Sequence, residues 1–180
     1  LEANEELWYK REFQIDPAWK KKRILLHFEA VDWKTDVWVN GVKVGNHSGG
    51  YTPFTFDITS ALVKGDNRLT VRVSDPTDQG IQPRGKQVRR PEGIWYTSVS
   101  GIWQTVWLEP VPEHSISYLR VTPDIDRRIL SVEVSTESKG VVQVEVSAGG
   151  KTVSSSRSLC GQRIEVPMPA DMLLWSPENP

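Results

Sequence analysis

Cysteine is nearly absent from this sequence, and the chain has neither a long apolar run nor a strong net charge. Cys160 is the single cysteine among 180 residues, so no internal disulfide is possible and packing alone must hold the fold. No stretch approaches the roughly 18 consecutive apolar residues that a membrane span needs. The 22 basic and 23 acidic side chains nearly cancel, which argues against nucleic acid or an anionic membrane as a partner. We therefore expect a soluble globular protein.

The motifs of nucleotide, metal and serine-hydrolase chemistry are also missing. Glycine pairs at 49–50 and 149–150 match no phosphate-binding fingerprint and lie between strands, where they predict turns. The three histidines are far apart in sequence, and no cysteine or carboxylate cluster has the spacing of metal ligands. No serine lies in a nucleophile-elbow context. The sequence therefore predicts no cofactor, no metal and no catalytic residue in this chain.

Period-two hydrophobicity, which is typical of β-strands, is abundant. It predicts strands at 7–15, 22–31, 51–58, 68–74 and 99–111. Residues 37–45 predict a hairpin, because Asn40 and Gly41 tolerate positive φ at both central positions of a type I′ turn. No long helix is predicted, and the one helical candidate is a single turn at 59–65, capped by Thr59 or Ser60.

The segment 99–111, VSGIWQTVWLEPV, is apolar on both faces if it forms one continuous strand. Ile102, Val106 and Leu108 then point one way, whereas Trp103 and Trp107 point the other. An antiparallel strand with one wet face carries polar residues on that face. We therefore expect the face with Trp103 and Trp107, or the neighbouring corner at Trp95, to pack against something other than the core of its own domain.

The character of the sequence changes near residue 112. Beyond it, short valine-rich strands alternate with polar turns, and the segment EPVPEH at 109–114 marks the boundary. The pattern predicts an all-β chain: a jelly-roll sandwich over 1–111, then a smaller immunoglobulin-like sandwich over 112–180. The second sandwich reaches LLWSPENP at 173–180 without a closing strand, so we expect it to be truncated at its C-terminus.

A connection of nearly twenty residues, 75–93, has no predicted element and carries four cations, Arg84, Lys86, Arg89 and Arg90. Long loops in compact domains are usually functional or disordered. This one is either a surface that meets carboxylates or a polar ligand, or a solvated loop held by local turns.

Tryptophan is unusually frequent, with eight residues. Flat aromatic rings stack on the C–H faces of sugars, but tryptophan also fills cores and interfaces, and we favour that second role for most of the eight. Trp95 is the exception, because it directly follows the basic connection.

Four motifs occur in order: DWKTDVWVNGVKVGNHSGGYTPFTFDIT, GDNRLTVRVSDPTD, QPRGKQ and GIWYTSVSGIWQTVWLEP. Over about 7–111 the chain resembles the amino-terminal domain of glycoside hydrolase family 2, the β-galactosidase and β-glucuronidase family. Residues 112–180 resemble the family's second, immunoglobulin-like domain more loosely. The resemblance implies a galactose-binding-like jelly roll, an immunoglobulin-like sandwich and a (β/α)8 barrel that carries both catalytic glutamates of a retaining mechanism. Such a barrel needs about 250 residues and does not fit in this chain.

In some relatives the jelly roll lends the active site a carboxylate a few residues before the SGI motif. Alignment on Ser100, Gly101 and Ile102 places Trp95 at that position, so this sequence departs from those relatives. The candidate substrate-binding residues are Arg84, Arg90, Trp95 and Tyr96.

The resemblance implies a non-catalytic region of a β-galactosidase-like hydrolase, which supports the barrel and shapes its substrate cleft. Its partners would be that barrel and, through the parent enzyme, a β-glycoside substrate. Two alternatives stay open: a stand-alone carbohydrate-binding module, and a structural domain that makes homo-oligomer contacts. The sequence leaves the compartment open, with the bacterial periplasm or exterior among the alternatives.

Overall fold

The computed structural model describes residues 6–137 and 139–178, and it is built almost entirely of β-strands. The chain divides into two compact units, one up to Pro112 and one from Glu113. The predicted all-β class, a jelly-roll sandwich followed by an immunoglobulin-like one, is confirmed. None of the helices formed by the described residues has the length and hydropathy needed to cross a membrane.

The first unit is a sandwich of two antiparallel sheets. The larger sheet has the order β1-β7-β4-β5, with β1 (Glu6–Phe13), β4 (Lys34–Val39), β5 (Val42–Ser48) and β7 (Asn67–Ser74). The smaller sheet has the order β11-β2-β6, with β2 (Arg23–Phe28), β6 (Phe54–Asp57) and β11 (Val106–Val111). Two short pairs complete the unit: β3 (Val31–Asp32) with β10 (Gly101–Ile102), and β8 (Gln87–Val88) with β9 (Tyr96–Thr97).

The core of this unit lies where the apolar stripes of the two sheets meet. Alternate residues of β2 are buried against alternate residues of β4 and β7, as the period-two pattern predicts. Burial of each such side chain contributes roughly 1.5–3 kcal/mol relative to exposure. The buried set is Ile24, Leu26, Phe28, Val37, Val39, Val71 and Val73.

The predicted hairpin is confirmed between β4 and β5. Asn40 and Gly41 have φ of 51° and 81°, the two positive values that a type I′ turn requires. The Asn40 side chain also donates to the Ala61 carbonyl at 2.9 Å and to Asn67 Oδ1 at 2.8 Å. The turn is therefore fastened to β7 as well as to its own strands.

The predicted helical turn forms as a 3-10 helix at Thr59–Ala61, but its predicted cap is wrong. Ile58 occupies the N-cap position and provides no side-chain hydrogen bond. Asp57 Oδ1 instead accepts from the Thr59 backbone N–H at 2.9 Å, and Thr59 Oγ1 accepts from the Ile24 N–H at 2.8 Å. The Thr59 hydroxyl thus joins the helix to β2.

The prediction of one continuous strand over 99–111 is also wrong. The segment forms β10, which pairs with β3, and then β11, which pairs with β2. Between them the N–H groups of Trp103 and Gln104 both point to the Ala30 carbonyl, at 3.3 and 3.4 Å. Because two donors converge on one acceptor, the ladder is interrupted and the simple alternation of faces does not continue across the segment.

The second unit has a three-stranded sheet, β12-β13-β16, and a two-stranded sheet, β14-β15. Its core consists of Val132, Val134, Ile164 and Val166, with Val142, Val144 and Val146 of β14 packed against them. The strands are β12 (Ile116–Asp124), β13 (Ile129–Thr136), β14 (Val141–Ala148), β15 (Lys151–Leu159) and β16 (Ile164–Pro167). The end of the predicted closing region, 179–180, lies outside the described residues.

Leu119 and Val121 of β12 lie on the inner face of the three-stranded sheet without a cover. They pair directly with Val134 and Val132, so they share a face with the buried core. Yet Leu119 is 56% and Val121 50% exposed, while their partners on β13 are buried. The two-stranded sheet therefore covers β13 and β16 but leaves the inner face of β12 open.

Candidate functional site

The segment 75–99, which contains the basic connection 75–93, is ordered by hydrogen bonds that join its two ends. Asp75, which is buried, accepts from the Thr77 N–H at 2.7 Å and from the Ser100 hydroxyl. Gln87 Oε1 accepts from the Val99 N–H at 2.7 Å. The connection thus forms a closed loop at one end of the first unit.

The expectation that this connection contains no regular element is wrong in one place. Strands β8 and β9 pair in parallel, with the Tyr96 N–H donating to the Lys86 carbonyl at 2.8 Å. Each strand has two residues, which is too short to give a periodic sequence pattern. The pairing brings residues 86–88 beside 96–97.

Two of the four cations in the loop stabilise the loop itself. Arg84 Nη1 donates to the Asp78 carbonyl at 3.0 Å, and Arg89 Nε donates to Asp78 Oδ1 at 2.9 Å. Hydrogen bonds from the Arg89 backbone N–H and guanidinium lower the pKa of Asp78. Within the described chain, neither Lys86 nor Arg90 has a carboxylate within salt-bridge distance. Lys86 and Arg90 are therefore the cations available to a ligand.

The predicted site residues occupy different surroundings. Arg84 is partly buried and bound to the loop backbone, whereas Arg90, Trp95 and Tyr96 are exposed. The Lys86 ammonium lies 6.0 Å from the centroid of the Tyr96 ring, within cation–π range. No hydrogen bond or ring contact among described residues joins either predicted arginine to Trp95 or Tyr96.

Tyr51 and Trp103 form an exposed aromatic pair that no local sequence pattern assigns to the site. Their ring centroids are 6.1 Å apart with an interplanar angle of 73°, and Trp103 Nε1 donates to the Gly50 carbonyl at 2.8 Å. The Tyr51 hydroxyl lies 3.8 Å from the position that a Cβ on Gly85 would take, so the pair adjoins the basic loop. We call the set of Tyr51, Tyr96, Trp103 and Lys86 the aromatic corner.

A buried carboxylate lies directly beneath the aromatic corner. Asp32 is 8% exposed, and burial, assisted by the charge of Asp75, raises the pKa of Asp32 to about 6. A Cβ on Gly50 would lie 2.7 Å from Asp32 Oδ1. Glycine at this position therefore allows the backbone next to Tyr51 to pack directly against the Asp32 carboxylate. The side chains packed around it include Asp75, Thr77, Gln82, Arg84 and Gln87.

The carboxylates of this region do not form a metal centre. Across 6–137 and 139–178, no three His, Cys, Asp or Glu side chains cluster closely enough to hold an ion. Both oxygens of Asp75 are already used by Thr77 and Ser100. The chemistry that the site offers is therefore aromatic stacking beside a positive charge.

Comparison with known proteins decides the family. Residues 2–112 match the family model described as glycosyl hydrolases family 2, sugar binding domain. The chain belongs to glycoside hydrolase family 2. The match spans the loop and the aromatic corner, and it confirms the resemblance that the sequence motifs carry.

The relatives of this chain include proteins named β-galactosidase and proteins named β-glucuronidase. A β-galactosidase of Thermoanaerobacter pseudethanolicus is 30% identical over 96% of this chain and 24% of its own length. A protein named putative β-glucuronidase from Formosa agariphila is 32% identical over 83% of this chain and 18% of its own length. The chain thus spans about a quarter or less of these two relatives.

Solved structures show the same fold as this family 2 chain. The apo structure of a β-glucuronidase from Ruminococcus gnavus superposes with a TM-score of 0.76 at 24% identity. The superposition covers 97% of this chain and 31% of that one. At this level of identity the likeness supports the fold alone.

Proposed function

We propose that this chain is the amino-terminal, non-catalytic region of a longer retaining glycoside hydrolase, in which it supports a catalytic (β/α)8 barrel. The observation that carries the proposal is the family 2 match over 2–112, in a chain that spans 24% of the first β-galactosidase relative. Both named activities among the relatives hydrolyse β-linked glycosides. A β-glycoside is therefore the proposed substrate of the longer protein.

The open inner face of β12 supports a role within a larger polypeptide. Exposed Leu119 and Val121 continue the buried face of Val132 and Val134, and among the described strands β14 hydrogen-bonds only to β15. One further strand on the free edge of β14 would bury both side chains. Such a strand would have to come from polypeptide other than the described residues.

The outer face of the smaller sheet in the first unit is the proposed contact with the barrel. Trp103 and Trp107 are both more than two-fifths exposed, as the hypothesis of an external cover requires. They do not lie on one strand face, because the ladder breaks between them. Trp107 is therefore the proposed docking residue, and Trp103 belongs to the aromatic corner.

The basic loop is the proposed wall of the substrate cleft. Arg90, Trp95 and Tyr96 are exposed and would contact the substrate or its leaving group. Arg84 would act through the loop, because its guanidinium holds the Asp78 carbonyl.

The test compares this chain with a longer natural protein that contains it. We expect the longer protein to hydrolyse an aryl β-galactoside or an aryl β-glucuronide, and to release the β-anomer first, as a retaining enzyme does. The chain alone should hydrolyse neither. Turnover by the chain alone, or an initial α-anomer, would refute the proposal.

A stand-alone carbohydrate-binding module is the second candidate. None of the eight tryptophans is fully buried, and the exposed ones are Trp8, Trp95, Trp103, Trp107 and Trp175. This is more exposure than our expectation of core and interface roles implied. Oligosaccharide binding by the chain, together with no hydrolysis by any longer protein that contains it, would favour the module.

A further inference from the structure

We propose that the aromatic corner binds an anionic pyranose such as a uronic acid. The aromatic rings would stack on the C–H face of the sugar, and the Lys86 ammonium would pair with its carboxylate. The inference rests on the proposed function for the class of ligand, carbohydrate, and goes beyond it in naming the residues and the charge.

Trp103 and Tyr51 form two fixed walls of the corner. The indole N–H of Trp103 already donates to the Gly50 carbonyl at 2.8 Å, so the remaining exposed surface of that ring is apolar. The Tyr51 ring stands at 73° to it, so the two rings meet edge to face and do not form a flat platform. Tyr51 is 50% and Trp103 46% exposed, so both rings have surface available for a ligand.

Lys86 provides the positive charge of the corner, and its backbone lies between the Tyr51–Trp103 pair and Tyr96. The Tyr51 hydroxyl adjoins Gly85, the residue before Lys86, and the Lys86 carbonyl accepts from the Tyr96 N–H at 2.8 Å. The Lys86 ammonium lies 6.0 Å from the Tyr96 ring centroid and forms no salt bridge with any described residue. An unpaired ammonium over one aromatic ring, on a loop that adjoins the Tyr51–Trp103 pair, selects a ligand that combines an apolar ring face with a carboxylate.

Glu92 is the exposed carboxylate of the 75–93 connection, and three other acidic side chains of this region are buried or paired. Asp32, beneath Gly50, and Asp75, at the base of the loop, are both buried. Asp78 is occupied by Arg89. Arg90 adds a second exposed cation on the same loop. Lys86 and Arg90 thus outnumber Glu92 among the exposed charges of the connection, which favours an approaching anion.

Three small ligands separate the parts of the proposal in a titration of the 180-residue chain. Methyl β-D-glucuronide has the ring and the charge, methyl β-D-glucoside has the ring alone, and acetate has the charge alone. The indole N–H resonance of Trp103 reports binding by NMR. We expect saturable shifts of this resonance with the glucuronide, about fivefold weaker binding of the glucoside, and no binding of acetate. Equal affinity for both glycosides would refute the role of Lys86, and absence of a saturable shift would refute the site.

Two variants and two controls complete the test. Lys86→Gln should weaken the glucuronide about fivefold and leave the glucoside unchanged, and Tyr51→Ala should weaken both glycosides. The matched controls are Lys22→Gln and Trp8→Ala, exposed residues away from the corner, which should change neither affinity. Equal loss in a control and its matched variant would refute the assignment.

Failure of this inference is distinguishable from failure of the proposed function. If the longer protein hydrolyses β-glycosides but the chain does not bind the glucuronide, only the aromatic corner assignment falls. If the chain binds the glucuronide through Lys86 but the longer protein shows no hydrolysis, only the proposed function falls.

Discussion

His27 stacks face to face on Trp107, with ring centroids 4.0 Å apart and 13° between the ring planes. The same imidazole lies 3.0 Å from Glu109 Oε2 through Nε2 and 2.9 Å from Thr55 Oγ1 through Nδ1. The ring is therefore held in its plane from both nitrogens, and this plane sets the orientation of the exposed Trp107. The docking residue proposed for the barrel is thus positioned by a histidine on the neighbouring strand.

A double-mutant cycle should detect this coupling. His27→Ala and Trp107→Ala should each destabilise the fold, with a coupling free energy of about 0.5–1.5 kcal/mol between them. Urea denaturation of the four proteins provides the measurement. Strictly additive effects would show that the stacked geometry contributes no interaction energy.

Asp32 should make the fold less stable as the pH rises from about 4 to 6. Its pKa is raised to about 6 in the folded chain, above the ordinary value of about 4 that applies when it is unfolded. The folded state therefore binds the proton more tightly than the unfolded state does. Ionisation of Asp32 does not lower the free energy of unfolding below pH 4, and it lowers that free energy by its full amount above pH 6. Each pKa unit corresponds to about 1.4 kcal/mol.

Substitution of Asp32 isolates this effect. Asp32→Asn should stabilise the chain by about 3 kcal/mol at pH 7.5 and by much less at pH 4. The measurement is the free energy of unfolding in urea at both pH values, as a difference from the parent chain. A stabilisation that does not depend on pH would contradict the assignment.

Asp36 should show the opposite dependence. Burial opposes ionisation of this carboxyl, but hydrogen bonds from Lys43 and Arg72, at 2.6 Å each, together with their charges lower its pKa. The ionised form is thus favoured by folding, and its contribution is present above pH 4 and lost as the pH falls through the folded pKa. Asp36→Asn should cost about 2 kcal/mol at pH 7, because hydrogen bonds to charged groups contribute about that much. In urea denaturation this difference should shrink below pH 4, and a constant difference would contradict the pairing.

Gly45 should not tolerate a methyl group. Its missing Cβ would overlap the ring of Phe56, which packs against the core of the first unit. Gly45→Ala should cost about 1–3 kcal/mol by overpacking. The control is Gly140→Ala, where no atom lies within 4 Å of the added methyl group, and thermal unfolding should show a change below about 0.5 kcal/mol.

The elements predicted well from the sequence are those determined by neighbouring residues. The buried alternation of Ile24, Leu26 and Phe28 follows from a period of two, and the turn at Asn40 and Gly41 follows from the φ values these residues accept. Both depend on only a few consecutive positions. The family motifs extend this local information to the order of the strands.

The features that the sequence did not predict depend on contacts between distant segments. The break in 99–111 arises because Trp103 and Gln104 share the Ala30 carbonyl, and the loop closes because Ser100 binds Asp75. The aromatic corner is assembled from residues around 51, 86, 96 and 103, and no local pattern places these together. The predicted residue Tyr96 belongs to the corner, but its neighbours could be named only from the structure.

The uncovered inner face of β12 has a consequence for folding during translation. Translation runs from the amino terminus, so under the proposal that a later strand covers this face, Leu119 and Val121 leave the ribosome before that strand does. Until that strand is synthesised, these two apolar side chains and the edge of β14 that no described strand pairs with can associate with a non-native partner, including a second nascent chain. We expect chaperones that recognise extended apolar segments to bind this sheet during synthesis.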